Sequence, residues 1–267
     1  MSDADGSRYD GLTCWVTGGA SGVGAATAAV LGARGADVWV VDRAQGAVDG
    51  ARFLSLDISD DDAVRNLVDG APVPDVLICC AGLAPTHPAD RVMAVNHIGT
   101  RLLADLVSAR MTRGGAVAVV ASLAAARWQQ RVADLAPLVA LDDPAAARAW
   151  CAEHADVVGD GYATSKEAIT IWAMQRATVL AAAGVRVNVL SPGPIETPMM
   201  RDFEEALGKQ TMDDYPKPLG RTSTPAEQAE ALAFLCSPGA SYVSGANLFV
   251  DGAISASRVS AALSAGS

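Results

Sequence analysis

Runs of apolar residues of strand length alternate along the chain with helical stretches, and this alternation constrains the fold more than any single motif. "TCWVT" (13–17) leads into a glycine-rich turn and the alanine-rich "AATAAVLGARG" (25–35). "DVWVV" (37–41) is followed by "SDDDAVRNLVDG", where a serine cap, an acidic first turn and a closing glycine mark a helix. "DVLICC" (75–80) precedes a long helical pattern over about 88–111, and "GAVAVVAS" (115–122) is another buried-strand run. A helix over about 162–183, the strand "VRVNVLS" (185–191), a proline-bearing loop, the helix "PAEQAEALAFLCS" (225–237) and the strand "NLFVD" (247–251) complete the series. Strands that are apolar throughout belong in a parallel sheet covered on both faces. The expected fold is α/β, a doubly wound parallel sheet with helices on both faces. No linker or repeat divides it, so one domain is expected over 1–267. The tail "ISASRVSAALSAGS" is small and polar, and its end is expected to fray.

Composition narrows the functional classes. Hydrophobic residues make up 51% of the 267, enough for a sizeable core and too many for a disordered chain. The formal net charge of −10, with no run rich in Lys or Arg, argues against nucleic acid and anionic membrane as partners. Cys14, Cys79, Cys80, Cys151 and Cys236 show no Cys-x-x-Cys spacing, and His87, His97 and His154 are scattered. They read as buried thiols in a reducing cytoplasm, with no metal expected. The polar, acidic start "MSDADGSRYDG" lacks the basic and apolar segments of an export signal, and no apolar run is long enough to span a membrane. A cytoplasmic protein is expected.

"TCWVTGGASGVGAAT" (13–27) places Gly18, Gly22 and Gly24 after the first strand and at the opening of a helix. In that context a glycine motif makes a tight turn, lets backbone approach a pyrophosphate and aims a helix N-terminus at the anion. The sheet is therefore expected to be Rossmann-type. The next strand ends in Asp42, 18 residues after Gly24. Its carboxylate can accept hydrogen bonds from both adenine-ribose hydroxyls and would repel a 2′-phosphate, which favours NAD over NADP. Arg43 is a caution, since an arginine can accommodate that phosphate.

"GYATSK" (161–166) sets Tyr162 and Lys166 one helical turn apart, on the same face. Taken with Thr17-Gly18-x-x-x-Gly22-x-Gly24, it resembles the classical short-chain dehydrogenases/reductases. The resemblance runs in order along nearly the whole chain. Asp57 in "SLDIS" looks like the family's adenine-contacting Asp, and "CCAG" (79–82) sits where Asn-Asn-Ala-Gly is usual. "VNHIG" supplies Asn96, Ser122 ends a strand, and "SPGPIETPM" (191–199) resembles the segment that closes over the nicotinamide. The resemblance implies a catalytic set of Asn96, Ser122, Tyr162 and Lys166. It implies NAD(H) held by Gly18, Ser21, Gly22, Val23, Gly24, Asp42, Arg43, Asp57 and Ile58. Cys80, Ala81, Gly82, Tyr162, Lys166, Pro192, Gly193, Ile195 and Thr197 complete that set. A phenol titrates near 10, and neighbouring cations, Lys166 and the oxidised nicotinamide, favour its phenolate. Tyr162 would then act as general base towards an alcohol and as acid towards a ketone. Ser122 would hold the substrate oxygen, and Asn96 would anchor a water in the proton path.

Two departures stand out. "CCAG" loses both usual asparagines, and Cys79 and Cys80 read as structural because nothing nearby in sequence lowers a thiol pKa. Between Ser122 and Tyr162 the family usually has a short connection; here 123–160 form an apolar insertion with helix grammar, in which Asp143 can cap and Pro144 suits a first helical position. With "AGLAP", "ETPMM" and "SPGASYVSGANLFVDGAI", the insertion looks most like the bacterial 3α-hydroxysteroid dehydrogenase/carbonyl reductase branch. That resemblance implies reversible oxidation of a secondary alcohol on a cyclic, apolar substrate. It also implies a homodimer through about 225–252, because the insertion blocks the helix face used by tetramers. A substrate loop over 194–222 and the residues Ser122, Leu83, Trp128, Met199, Met200 and Phe203 would meet the substrate. A 3-oxoacyl-thioester reductase, a terpenoid or aryl alcohol dehydrogenase and a nucleotide-binding regulatory protein remain the alternatives.

Overall fold

The computed structural model describes residues 7–265 apart from Ala47. The first six residues of the stretch read for an export signal lie outside the described residues, as do the last two of the tail. Seven parallel strands form one sheet: β1 (Thr13–Thr17), β2 (Asp37–Asp42), β3 (Arg52–Ser55), β4 (Val76–Cys79), β5 (Ala116–Val120), β6 (Arg186–Pro192) and β7 (Asn247–Val250). Their order is β3-β2-β1-β4-β5-β6-β7, so the winding reverses between β1 and β4. In such sheets ligands bind beyond the carboxyl ends of the strands at that reversal. Register brings those ends level: Thr17 lies opposite both Val41 and Cys79, and Val120 opposite Leu190.

Among the described residues the helices are α1 (Gly22–Ala33), α2 (Asp61–Gly70), α3 (Ala89–Met93), α4 (Thr100–Ser108), α5 (Val132–Val139), α6 (Pro144–Glu153), α7 (Ala155–Val158), α8 (Tyr162–Leu180), α9 (Met199–Leu207), α10 (Lys209–Asp213), α11 (Pro225–Cys236) and α12 (Ile254–Ala265). Successive strand residues point to opposite faces, so the apolar runs feed two cores. Val16, Val40, Ile78, Ala118 and Leu190 pack with Leu31 of α1 and Leu232 of α11. Trp15, Val41, Leu77, Val117 and Val189 pack on the other face with Leu103 of α4 and Ile169 and Trp172 of α8. No helix among the described residues is long and apolar enough to cross a membrane.

Four details depart from the sequence reading. Strand β3 was not expected: it is a four-residue edge strand, exposed at both ends, without the apolar run that marks the inner strands. The helix expected over 88–111 is broken. Residues Ala94–Gly99 form a π-helical segment between α3 and α4. A glycine explains the tight fit there, because a Cβ on Gly99 would come within 2.0 Å of the Ile58 carbonyl oxygen. The cap of α2 is Asp60, which accepts from Ala63 N, while Ser59 turns back to Asp57. The tail forms α12 through Ala265.

The insertion is helical, as its grammar predicts. Asp143 accepts from the amides of Ala145 and Ala146 at the start of α6. Leu135 and Leu138 are fully buried, and α5 packs against α8 while α6 packs against the π-helical segment. Three arginines fasten its edges. Arg101 on α4 reaches the Leu141 carbonyl and Asp142, Arg131 pairs with Glu167 on α8, and Arg148 forms a two-pronged pair with Asp61 at 2.6 and 2.7 Å. Truncating a fully buried leucine removes its transfer energy and leaves a cavity. Leu138→Ala is therefore expected to destabilise the protein by about 2–5 kcal/mol in urea unfolding, and a loss below about 0.5 kcal/mol would contradict the docking of the insertion.

Candidate active site

A cavity of about 720 Å³ opens over the carboxyl ends of the strands and is lined from Thr17 through Tyr215. One end is built by the glycine turn. A Cβ on Gly18 would lie 2.6 Å from Ala81 N, and one on Gly24 would lie 2.1 Å from the Gly18 carbonyl oxygen. Only glycine permits this packing of turn against strand and helix. Ser21, at the head of α1, makes no capping side-chain hydrogen bond, so the first-turn N–H groups of the helix are left for an anion. Asp42 accepts from Ala20 N with one carboxylate oxygen and from Ala44 N with the other, both at 3.0 Å. It thereby fastens the glycine turn to the loop after β2, and each oxygen keeps acceptor capacity for a hydroxyl. Asp57 accepts from the backbone and side chain of Ser59, which hold its carboxyl below the usual range. This donor and acceptor set fits a dinucleotide.

All the residues expected to hold the cofactor line this cavity, from Gly18 to Thr197. Cys80 is among them, and burial pushes its thiol up to about 12, so it is not a nucleophile at neutral pH. Cys79 is likewise raised by burial.

At the other end Ser122, Tyr162 and Lys166 come together. Ser122 follows β5, and its hydroxyl accepts from Ala124 N at 3.1 Å and hydrogen-bonds Tyr162. Lys166 is buried beneath the tyrosine. Its ammonium donates to the Val120 carbonyl at 2.9 Å and lies 6.0 Å from the Tyr162 ring centroid. In the protein alone, Lys166 does not bring the phenol down as expected. Burial raises Tyr162, with Asp160 adding to the rise and the Ser122 hydrogen bond opposing it. The physical reason is shared desolvation, which favours the neutral form of both partners.

One expected residue stands elsewhere. Trp128 does not line the cavity; it packs against the core beneath the insertion, because the turn carrying it leads into α5. Asn96 does not line the cavity but lies just behind it, where a Cβ on Gly82 would come 3.4 Å from its Oδ1 and 3.5 Å from Lys166 Nζ. It accepts from Leu83 N at 2.7 Å and donates to Leu83 O and to Ser165 Oγ. Ser165 in turn donates to the Tyr162 carbonyl at 2.7 Å. Asn96 thus links the loop bearing Leu83 to the helix bearing Tyr162.

The roof is apolar. Leu83, Met199, Met200 and Phe203 line it, and Phe203 meets Tyr162 edge-on with ring centroids 5.1 Å apart. The lining also includes Ala44, Gln45 and Asp160, which the sequence reading did not assign. For Asp160 a signal existed: it sits between two glycines immediately before Tyr162, the turn type that starts a helix.

Fold and site together define a dehydrogenase/reductase with its reacting groups at one end of a dinucleotide cleft. Residues 13–133 match the short chain dehydrogenase family, and residues 149–255 match a second family described as Enoyl-(Acyl carrier protein) reductase. The 3-alpha-hydroxysteroid dehydrogenase/carbonyl reductase of Comamonas testosteroni is 35% identical over 90% of this chain and 95% of its own. The cis-4-hydroxycyclohexanecarboxylate dehydrogenase of Sinomonas cyclohexanicum is 33% identical, covering 90% and 95%. The solved structure of the 3-alpha-hydroxysteroid dehydrogenase from Pseudomonas sp. B-0831, complexed with NADH, is 35% identical and superposes with a TM-score of 0.76, covering 90% and 95%. The chain belongs to the short-chain dehydrogenase family and is an oxidoreductase.

Burial lowers Lys166 from its ordinary 10.5 to about 8. Between those two values the unfolded chain holds this proton and the folded chain does not, so the group's contribution to stability rises with pH across that window. The difference in urea unfolding free energy between wild type and Lys166→Met is expected to stay flat below pH 8 and to grow in favour of wild type from 8 to 10.5. A difference that is level throughout would contradict the buried ammonium.

Proposed function

We propose that the protein interconverts a secondary alcohol and a ketone on a cyclic, largely apolar substrate, with NAD(H) as the redox partner. The observation that carries this reading is the grouping of Ser122, Tyr162 and Lys166 under an apolar roof of Leu83, Met199, Met200 and Phe203. NAD(H), which Gly18, Gly22, Gly24, Asp42 and Asp57 would hold, would supply the hydride chemistry. The chain's own residues do the rest. Ser122 holds the substrate oxygen, and Tyr162 takes the hydroxyl proton in oxidation and returns it in reduction. Lys166 would hold the nicotinamide ribose, and it keeps positive charge below the phenolate. Asn96 and Ser165 keep the substrate loop and the base in register.

The Asp42 carboxylate at the end of β2 supports NAD over NADP by repulsion of a 2′-phosphate. The NADH complex of the Pseudomonas relative supports the same choice. Steroid-like alcohols come first as substrates, because methionines adapt to bulky, varied apolar shapes; the Comamonas relative's name points the same way. The free, largely buried cysteines suit a reducing cytoplasm.

The test is a panel of steroid, cyclohexyl, aryl and 3-oxoacyl thioester substrates with NAD and NADP in parallel. Turnover of cyclic alcohols with NAD is expected. Tyr162→Phe should lower kcat by about 10²–10⁴-fold while NADH still binds, as read by its fluorescence. Equal use of NADP would overturn the role of Asp42, and binding without turnover in wild type would overturn the enzymatic reading.

For assembly we propose a homodimer through α11 and β7. Phe234 and Phe249 are exposed there, Tyr242 between them is fully exposed, and β7 ends the sheet. The insertion covers the α4–α8 side, which leaves this edge for a second copy. Sedimentation should give a dimer that Phe234→Asp shifts towards monomer, whereas a tetramer would contradict the blocking role of the insertion.

A further inference from the structure

We propose that Asp160 sets the charge class of the substrate: it places an exposed carboxylate at the reacting end of the cavity, where the one cation among the described lining residues of that end, Lys166, is buried, and so selects uncharged alcohols and ketones against anionic ones. The inference rests on the reading of the site given above and adds a selecting residue to it.

The charged residues that line the cavity are Asp42, Arg43, Asp57, Lys166 and Asp160. The first three belong to the end built by β2 and the loop after β3. Lys166 is buried, and its ammonium is engaged with the Val120 carbonyl. At the reacting end the lining therefore carries a buried cation, Lys166 below Tyr162, and one exposed carboxylate, Asp160. Its position is built rather than incidental. Gly159 and Gly161 flank it at φ of 59° and 81°, and a Cβ on Gly161 would come within 2.8 Å of the Ala89 carbonyl oxygen. The turn is therefore held against α3. Asp160 Oδ1 accepts from Tyr162 N at 2.9 Å, which fixes the carboxylate at the head of α8.

A carboxylate or phosphate on the part of a substrate that extends from Tyr162 towards the mouth would meet the exposed Asp160, while Lys166 lies buried on the other side of the tyrosine with no exposed face to pair with it. An uncharged substrate carries no such penalty. Asp160 also acts on the base. Tyr162 is faced by Ser122 from the segment after β5, by Lys166 from its own helix, by the uncharged Phe203 from α9 and by Asp160 from the preceding turn. The carboxylate opposes the phenolate, so its removal should ease proton loss from Tyr162.

The test compares cis-4-hydroxycyclohexanecarboxylate with its carboxamide, the same ring and alcohol differing by one charge. Wild type, Asp160→Asn and Asp160→Lys are assayed with NAD from pH 6 to 10. Asn keeps an acceptor for the Tyr162 amide, and thermal unfolding reports that the fold is kept. In wild type kcat/KM should favour the amide. The preference should fall by about 2–5-fold in Asp160→Asn, the range for an exposed charge, and reverse in Asp160→Lys. The acidic limb of the kcat/KM profile for the amide should move to lower pH in Asp160→Asn. A merely structural role would lower both substrates equally and leave the limb in place. A substrate ratio and a limb both unmoved in an active enzyme overturn the assignment of Asp160 alone. Absence of turnover on every cyclic alcohol of the panel in wild type overturns the site reading and this inference with it.

Discussion

The buried ammonium of Lys166 and its hydrogen bond to the Val120 carbonyl tie the catalytic helix to the sheet. An ammonium out of water has to be compensated, and the end of β5 offers a carbonyl oxygen at the right height. That bond sets the depth of α8, and with it the place of Tyr162 one turn earlier. Ser122 follows β5 by two residues, so the same strand end delivers the hydroxyl proposed to hold the substrate oxygen. The parallel register that levels β1, β4, β5 and β6 is what lets one short cleft join these groups to the glycine turn.

Around that bond runs a second chain of contacts. Leu83, Asn96, Ser165 and Tyr162 are joined through amide, hydroxyl and carbonyl. The asparagine is presented by a π-helical segment, a rare local geometry often found at functional sites. Ile58, on the loop after β3, closes against Gly99 on the outside of that segment. The loop after β3 and helix α8 thus share one support.

Much of this was legible in the sequence. Apolar runs identified six of the seven strands, because burial of the inner strands on both faces leaves little room for polar alternation and β7 keeps an apolar stretch at the edge. The edge strand Arg52–Ser55 escaped because its ends are in water and its residues need not be apolar. The glycine turn was readable because a Cβ at Gly18 or Gly24 is sterically impossible. The π-helical break was not, since "AVNHIG" has ordinary helical composition and the break depends on Ile58, distant in sequence. Trp128 was misplaced for a related reason. Nearness in sequence to Ser122 suggested the substrate end, but the path of the insertion takes it to the core. Asp42 was recognised by its position, yet its bonds to Ala20 and Ala44 depend on the closed loop.

The placement of the insertion has a consequence for how the chain is made. Leu135 and Leu138 leave the ribosome before α8, the helix against which α5 packs. Until residues 162–180 have emerged and coiled, that apolar face lacks the cover that α8 gives it. Exposed apolar surface on a growing polypeptide is where chaperones bind and misassembly starts. Helix α6 is in a different position, because the π-helical segment on which it rests is already synthesised. The nascent protein therefore carries a half-docked hairpin whose second half waits for the catalytic helix, and completing the active site is the same event as hiding that surface.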